Sequence, residues 1–306
     1  MDLHRLGLIS TRVQHFLLVA RTGSIRAAAR AVHLTPSSVS RSIRALEEDL
    51  QAPLFERRAQ RLRLSSAGEL LLHHLTQSGA ELARAVAGIG DLRGLRRGTV
   101  TLAVIESAGR GLLPEALAAF WARAPDIAVD LRVTGSAEAA AAVAAGEADL
   151  ALVFDQRPGR SLRRVALAEL PLGVLFTPHS GLGGQARLRL SDLSGERVIL
   201  PDASLTLEGS VEAAMGGRLV DFARRGRTNS IGLMIALAER GLACVLQTRL
   251  GAEAEIASGR LAFRPLAEPG LAPRRLMLLA RPKPEMSEAA ALLGEGLGRA
   301  VDALAA

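Results

Sequence analysis

The spacing of apolar residues changes character at residue 99. Before it they recur every three to four positions, in three short runs and one long one; beyond it, short continuous apolar runs alternate with helical segments. One chain therefore carries two architectures: a helical head, and a body whose alternation of strands and helices predicts a largely parallel sheet covered on both faces. With 306 residues, 49% of them hydrophobic and 23% charged, the chain has side chains enough for two or three cores.

Charge divides unevenly as well. Residues 1–65 hold 11 arginines against 5 acidic residues, whereas the rest of the chain holds 27 basic against 26 acidic residues. That asymmetry suits a polyanion-binding head on a near-neutral body. Cys244 is the only cysteine, which rules out an intrachain disulfide and a thiolate metal cluster and suits a reducing compartment. Asp2, His4, Arg5, Arg12, Gln14 and His15 interrupt the first 20 residues, so no secretory signal is expected. Apolar stretches such as Ala139–Ala145 fall far short of the ~18 residues that cross a bilayer. A cytoplasmic protein with no membrane partner is the expectation.

Within the head, Val13, Phe16, Leu17 and Ala20 line one side of a helix ending near Gly23. Ser24 is the N-cap of a second helix whose Ile25, Ala28, Ala29 and Val32 permit close packing. Thr35 followed by Pro36 starts a third, with proline at the first helical position, where its missing N–H costs nothing. Val39, Ile43, Leu46 and Leu50 share the buried face of that helix. Its opposite face, with Ser37, Ser38, Ser40, Arg41 and Arg44, has the short hydroxyls and the forked donors that reading a major groove requires. A merely solvated Ser/Arg face is the alternative, and the small-residue helix with its tight turn argues against it. Leu54–Arg57 and Gln60–Leu64 alternate with period two, which predicts a hairpin wing. Arg57, Arg58, Arg61 and Arg63 on it would meet phosphates or the minor groove.

Ser66 and Glu69 fit a capping box that starts a long helix. Leu75, Leu82 and Ile89 repeat every seven residues, interleaved with Leu71, Ser78, Ala85 and Leu92, and such a seam predicts pairing with a second helix. Packing on its own domain is the competing reading. Gly88, Gly90, Gly94 and Gly98 then loosen the chain into a hinge.

These residues resemble the LysR-type transcriptional regulators. The resemblance is carried by Phe16, Gly23–Ser24, Ala28–Ala29, Thr35–Pro36, Val39–Ser40–Arg41, Ile43, Leu46–Glu47, Leu50, Leu54–Phe55–Glu56–Arg57, Arg61, Leu64–Ser65 and Ala67–Gly68. Gln51 departs from it, standing where the family usually has glycine. The resemblance implies an α/β chain with an N-terminal all-α winged helix-turn-helix (residues 1–65), a linker and dimerisation helix with hinge (66–97) and an effector-binding domain (98–306). It supports pairing of heads through Leu71, Leu75, Leu82, Ile89 and Leu92. A homodimer or homotetramer would read an inverted repeat in double-stranded DNA, with half-sites spaced by helical turns of ~34 to 36 Å. RNA polymerase is the further partner implied; no cofactor is.

In the body the pattern predicts strands at 99–105, 127–133, 149–154, 172–176, 197–200, 219–222, 243–246 and 276–280. Helices are expected at 112–122, 137–145, 207–215, 231–240 and 286–305. Leu112–Leu113–Pro114, Phe120, Pro125, Gly146 to Ala151 and Gly241–Leu242–Ala243 extend the family resemblance here, and it implies two lobes similar to type 2 periplasmic binding proteins: lobe I at 98–161 and 268–306, lobe II at 162–267. Ligands of open α/β sheets sit beyond the strand ends against helix N-termini. Three turns qualify as effector contacts: Glu106–Ser107, Thr134–Gly135–Ser136 and Thr228–Asn229–Ser230. Phe154 and Pro201–Asp202 are added from neighbouring strand ends. Converging N-termini favour an anion, Glu106 argues against one, and an amine-bearing or neutral effector stays open.

Catalysis finds no support in the sequence. The single lysine, Lys283, lies between prolines and makes no phosphate loop, and neither GxGxxG nor GxSxG occurs. His73 and His74 are expected to point to different faces and to share no metal; His4, His15, His33 and His179 are scattered. Glu47–Glu48–Asp49, Glu253 and Glu255 read as solvated acids, and Cys244 as inert core. The absence of tyrosine and a lone tryptophan, Trp121, leave no stacking platform for single strands. The expectation is an effector-responsive regulator on duplex DNA; a constitutive repressor with a ligand-free body is the alternative.

Overall fold

The computed structural model describes residues 3–58, 61–91, 98–159, 161–202, 223–282 and 286–304. It separates into two compact units, the head with its long helix and the body.

In the head, α1 (Thr11–Thr22), α2 (Ile25–Ala31) and α3 (Pro36–Leu50) precede a hairpin of β1 (Phe55–Arg58) and β2 (Arg61–Leu64). Each helix starts on a hydroxyl that accepts the orphan N–H two or three residues on: Ser10 from Val13, Ser24 from Ala27 and Thr35 from Ser38, all at 3.3 Å. Gly23 ends α1 in the left-handed region. Gln51 does the same for α3 at φ +51°, so a side chain is tolerated where glycine is the easier choice. Phe16, Val19, Ala28, Ala29, Val39, Ile43 and Leu54 form the core. Glu47, expected to be solvated, instead accepts from Leu54 N at 2.8 Å and Phe55 N at 3.3 Å, tying the wing to α3. Asp49 is solvent-exposed as expected and forms a surface ion pair with Arg12.

The long helix α4 (Ser66–Asp91) starts one residue earlier than the capping-box reading required. Ser65 is the cap: its Oγ accepts from Gly68 N at 3.0 Å and donates to the Pro53 carbonyl. Leu71 and Leu75, assigned to an intermolecular seam, are half-buried and also pack against the head's own core. Further on, Leu82 is half-buried while Ser78, Ala85 and Ile89 are exposed; Leu92 lies outside the described residues.

The body runs β3 (Thr99–Val104), α5 (Glu106–Arg110), α6 (Leu113–Arg123), β4 (Ala128–Val133), α7 (Ser136–Ala144), β5 (Leu150–Phe154), β6 (Arg163–Leu170), β7 (Gly173–Phe176), β8 (Arg197–Pro201), β9 (Ala223–Thr228), α8 (Ile231–Glu239), β10 (Cys244–Gln247), α9 (Glu253–Ala257), β11 (Ala262–Pro265), β12 (Arg274–Ala280) and α10 (Glu288–Ala303). Two five-stranded sheets result, ordered β4-β3-β5-β12-β6 and β11-β7-β10-β8-β9. Each has three parallel strands extended by antiparallel ones, so the expectation of largely parallel sheets holds only for β4-β3-β5 and β10-β8-β9. Strand β6 pairs with β12 in the first sheet, which moves the crossover into lobe II from residue 162 to the segment after Leu170. The polar, arginine-bearing start of β6 hid a strand whose Ala166, Ala168 and Leu170 are buried. A strand at 219–222 and a helix at 207–215 fall outside the described residues, and β9 begins at Ala223. The first lobe's core gathers Leu102, Leu150, Leu152, Leu276 and Leu278; the second lobe's, Val174, Phe176, Val198 and Leu246.

Candidate nucleic-acid interface and interlobe cleft

On α3, Thr35, Pro36, Ser37, Arg41 and Arg44 are exposed, and Ser38 and Ser40 half-buried. The Thr35 hydroxyl lies 3.0 Å from both the Ser37 and Ser38 hydroxyls, so the leading turn presents a cluster of short polar groups. Arg41 and Arg44 make no ion pair among the described residues, which leaves both guanidinium forks available on one helix face. On the hairpin, Arg63 is exposed opposite Glu56; Arg57, Arg58 and Arg61 are placed by backbone register alone, with Arg58 opposite Arg61.

In the body, a cavity of about 480 Å³ opens between the two lobes. The strand-end turns converge on it as the topology requires: Glu106 and Ser107 after β3, Thr134, Gly135 and Ser136 after β4, Phe154 at the end of β5, Pro201 at the end of β8, and Asn229 and Ser230 before α8 all line it. Asp202 and Thr228 do not. The Thr228 hydroxyl turns back to accept Ser230 N at 3.1 Å, and Asp202 N donates to the Thr228 carbonyl, so this pair shapes the turn from behind. Ser136 is likewise engaged, its buried Oγ accepting Phe154 N at 3.0 Å.

Glu106 joins the lobes. Its carboxylate accepts from Ile231 N and Gly232 N, both at 2.8 Å, and from the Ser230 hydroxyl at 3.3 Å, filling the N-terminus of α8. One turn later Arg110 donates to the Gly251 carbonyl at 3.1 Å and pairs with Glu255 at 3.0 Å. Gly251, at φ +88°, has Ser107 backbone atoms where a Cβ would stand, so the lobes approach here through glycine. Glu253 and Glu255 are thus not the solvated acids expected: burial raises the Glu253 pKa against the N–H groups that its carboxylate accepts, and Glu255 is buried.

Residue reasoning missed four polar liners: Arg274, Gln247 and Thr248, each at most 5% exposed, and the exposed Glu138. Arg274 pairs with Asp155 and lies 4.8 Å above the Phe154 ring centre. A charged residue opening an otherwise apolar strand was the available signal for it; for Gln247 there was none. Burial, with Glu196 adding negative charge, pushes the Cys244 thiol up to about 12, far from a reactive thiolate. His73 and His74, expected on different faces, touch edge to face with ring centres 5.2 Å apart. No group of three His, Cys, Asp or Glu side chains among the described residues gathers to hold a metal, and no described helix is long and apolar enough to cross a membrane.

Known proteins align with both units. A protein of Trichormus variabilis described as "Probable RuBisCO transcriptional regulator" is 27% identical over 278 residues, covering 89% of this chain and 82% of that protein. The solved structure of full-length CbnR with its target DNA superimposes with a TM-score of 0.65 at 19% identity, over 98% of this chain and all of that one. The effector-binding domain of QuiR in complex with shikimate superimposes at 0.55 and 14% identity, over 68% of this chain and 98% of that one. Residues 11–69 match the description "Bacterial regulatory helix-turn-helix protein, lysR family", and residues 93–301 match "LysR substrate binding domain". The chain belongs to the LysR family of bacterial helix-turn-helix transcriptional regulators.

Proposed function

We propose that this regulator binds specific duplex DNA in the cytoplasm as at least a dimer, and that a small molecule in the interlobe cleft tunes its action on a promoter. The observation that carries the reading is the exposed face of α3, where Arg41 and Arg44 stand without ion pairs among the described residues, beside a hydroxyl-rich first turn. A face of that chemistry supplies base-reading forks, and the arginine-bearing hairpin supplies phosphate contacts. CbnR, whose fold it shares, was solved on its target DNA, and the QuiR domain on shikimate; both likenesses support the reading. A ligand shifts the arrangement of the lobes only by its difference in affinity for the two states.

Mapping the genomic sites that the full chain occupies, then titrating it on one such duplex and on a scrambled duplex at several salt concentrations, tests the DNA half. Preference for the mapped sequence at every salt concentration is expected, and equal affinity for both refutes sequence reading. A thermal-shift screen of metabolites against the full chain tests the sensor half; a cleft that no compound stabilises is that of a constitutive repressor.

A further inference from the structure

The cleft holds a polar side chain left unsatisfied. Gln247, ending β10, is 4% exposed and lines the cavity, yet neither its Oε1 nor its Nε2 has a hydrogen-bond partner among the described residues. Buried carboxamides are ordinarily bonded, because an unmade bond leaves the full desolvation cost standing. The two atoms present an acceptor and a donor side by side. A single group with a donor and an acceptor equally close together satisfies both at once, whereas a carboxylate, which accepts but does not donate, satisfies Nε2 alone.

Charge around the cavity points the same way. The N-terminus of α8, where an anionic ligand would gain most, is already filled by the Glu106 carboxylate. Glu138 places a second carboxylate on the wall, and the Arg274 guanidinium is engaged by Asp155. Among the described residues, an incoming anion would meet two negative side chains and a cation whose charge is already matched.

We propose that the cleft selects a neutral ligand bearing an amide edge, a primary carboxamide or a lactam, paired donor to acceptor with Gln247, and rejects the corresponding carboxylate. This rests on the reading of the cleft as the effector site. Glu106 acts as a built-in anion that holds the two lobes and sets the ligand class.

The test is calorimetry and thermal unfolding of the full chain against carboxamides and lactams, each paired with its isosteric acid, with nicotinamide and nicotinate, and benzamide and benzoate, in the panel. At least one neutral member should bind at least tenfold more tightly than its acid and lose at least tenfold on Gln247→Leu. Unliganded Gln247→Leu should melt at or above the wild type, since it removes an unsatisfied group. Glu106→Gln should narrow the gap between amide and acid. Tighter binding of the acids to the wild type overturns the amide assignment and leaves the sensor reading standing. Undiminished amide binding by a folded Gln247→Leu also overturns it. Binding of neither series overturns the amide assignment, and the metabolite screen of the full chain then decides the sensor reading separately.

Discussion

Arg110 of α5 reaches across the cleft to Glu255 of α9, with 3.0 Å between Nη2 and Oε1. The carboxylate is buried and the guanidinium partly exposed, so the two ends respond differently to removal. Arg110→Ala strands Glu255 without its cation and also deletes the bond to the Gly251 carbonyl; a loss of about 1 to 2 kcal/mol is expected, discounted for the solvent at the arginine. Glu255→Gln should cost less, since an amide can still accept from Arg110. Urea unfolding of the two variants and of the Arg110→Ala/Glu255→Leu double variant measures this, and the double variant should recover part of the loss.

Arg41 and Arg63 should fail in different ways. Arg41→Ala is expected to cost ~1 to 3 kcal/mol on the cognate duplex and little on a scrambled one, if its fork reads a base. Arg63→Ala should weaken both duplexes alike and reduce the salt slope by about one unit. Fluorescence-anisotropy titrations on both duplexes at several salt concentrations separate the two; equal loss on both duplexes for both variants would remove the division between reading and anchoring.

His15 makes the head sensitive to acid. It is buried on α1 with Nδ1 unpartnered among the described residues, and burial first, then the neighbouring His4, hold its pKa below the ordinary ~6.5. The unfolded chain then takes up a proton at a pH where the folded head does not. The contribution of neutral His15 is therefore complete above pH ~6.5 and is lost as pH falls through that value toward the lower folded one. Thermal unfolding of the wild type and His15→Leu between pH 8 and 5 should show the wild type falling more steeply on the acid side.

Gly68 marks the point where α4 crosses the start of the wing. A Cβ there would collide with the Leu54 carbonyl oxygen and stand 2.9 Å from Leu64 Cδ2. Because backbone is the obstacle, Gly68→Ala should destabilise the head by about 1 to 3 kcal/mol despite the better helix propensity of alanine. Gly79→Ala on the same helix, with nothing within 4 Å among the described residues, is the control and should be neutral or mildly stabilising. Melting curves of the two variants decide.

The head could be read from its residues because its determinants are local: Ser24 and Thr35 each cap a helix through an N–H three residues on, and Phe16, Ala28 and Val39 each belong to the apolar stripe of their own helix. The cleft-lining turns were legible for the same reason, each being a strand end followed by a helix start. Other features depend on partners far along the chain. Glu106 finds Ile231 across 125 positions, Arg110 finds Glu255 across 145 and Arg274 finds Asp155 across 119. The pairing of β6 with β12 joins segments about as far apart, and Gln247 becomes an unsatisfied donor and acceptor only once two lobes close around it. Periodicity and capping act over one or two turns of chain. Which carboxylate meets which N–H, and which amide is left without either, is settled when the strands are ordered and the lobes packed.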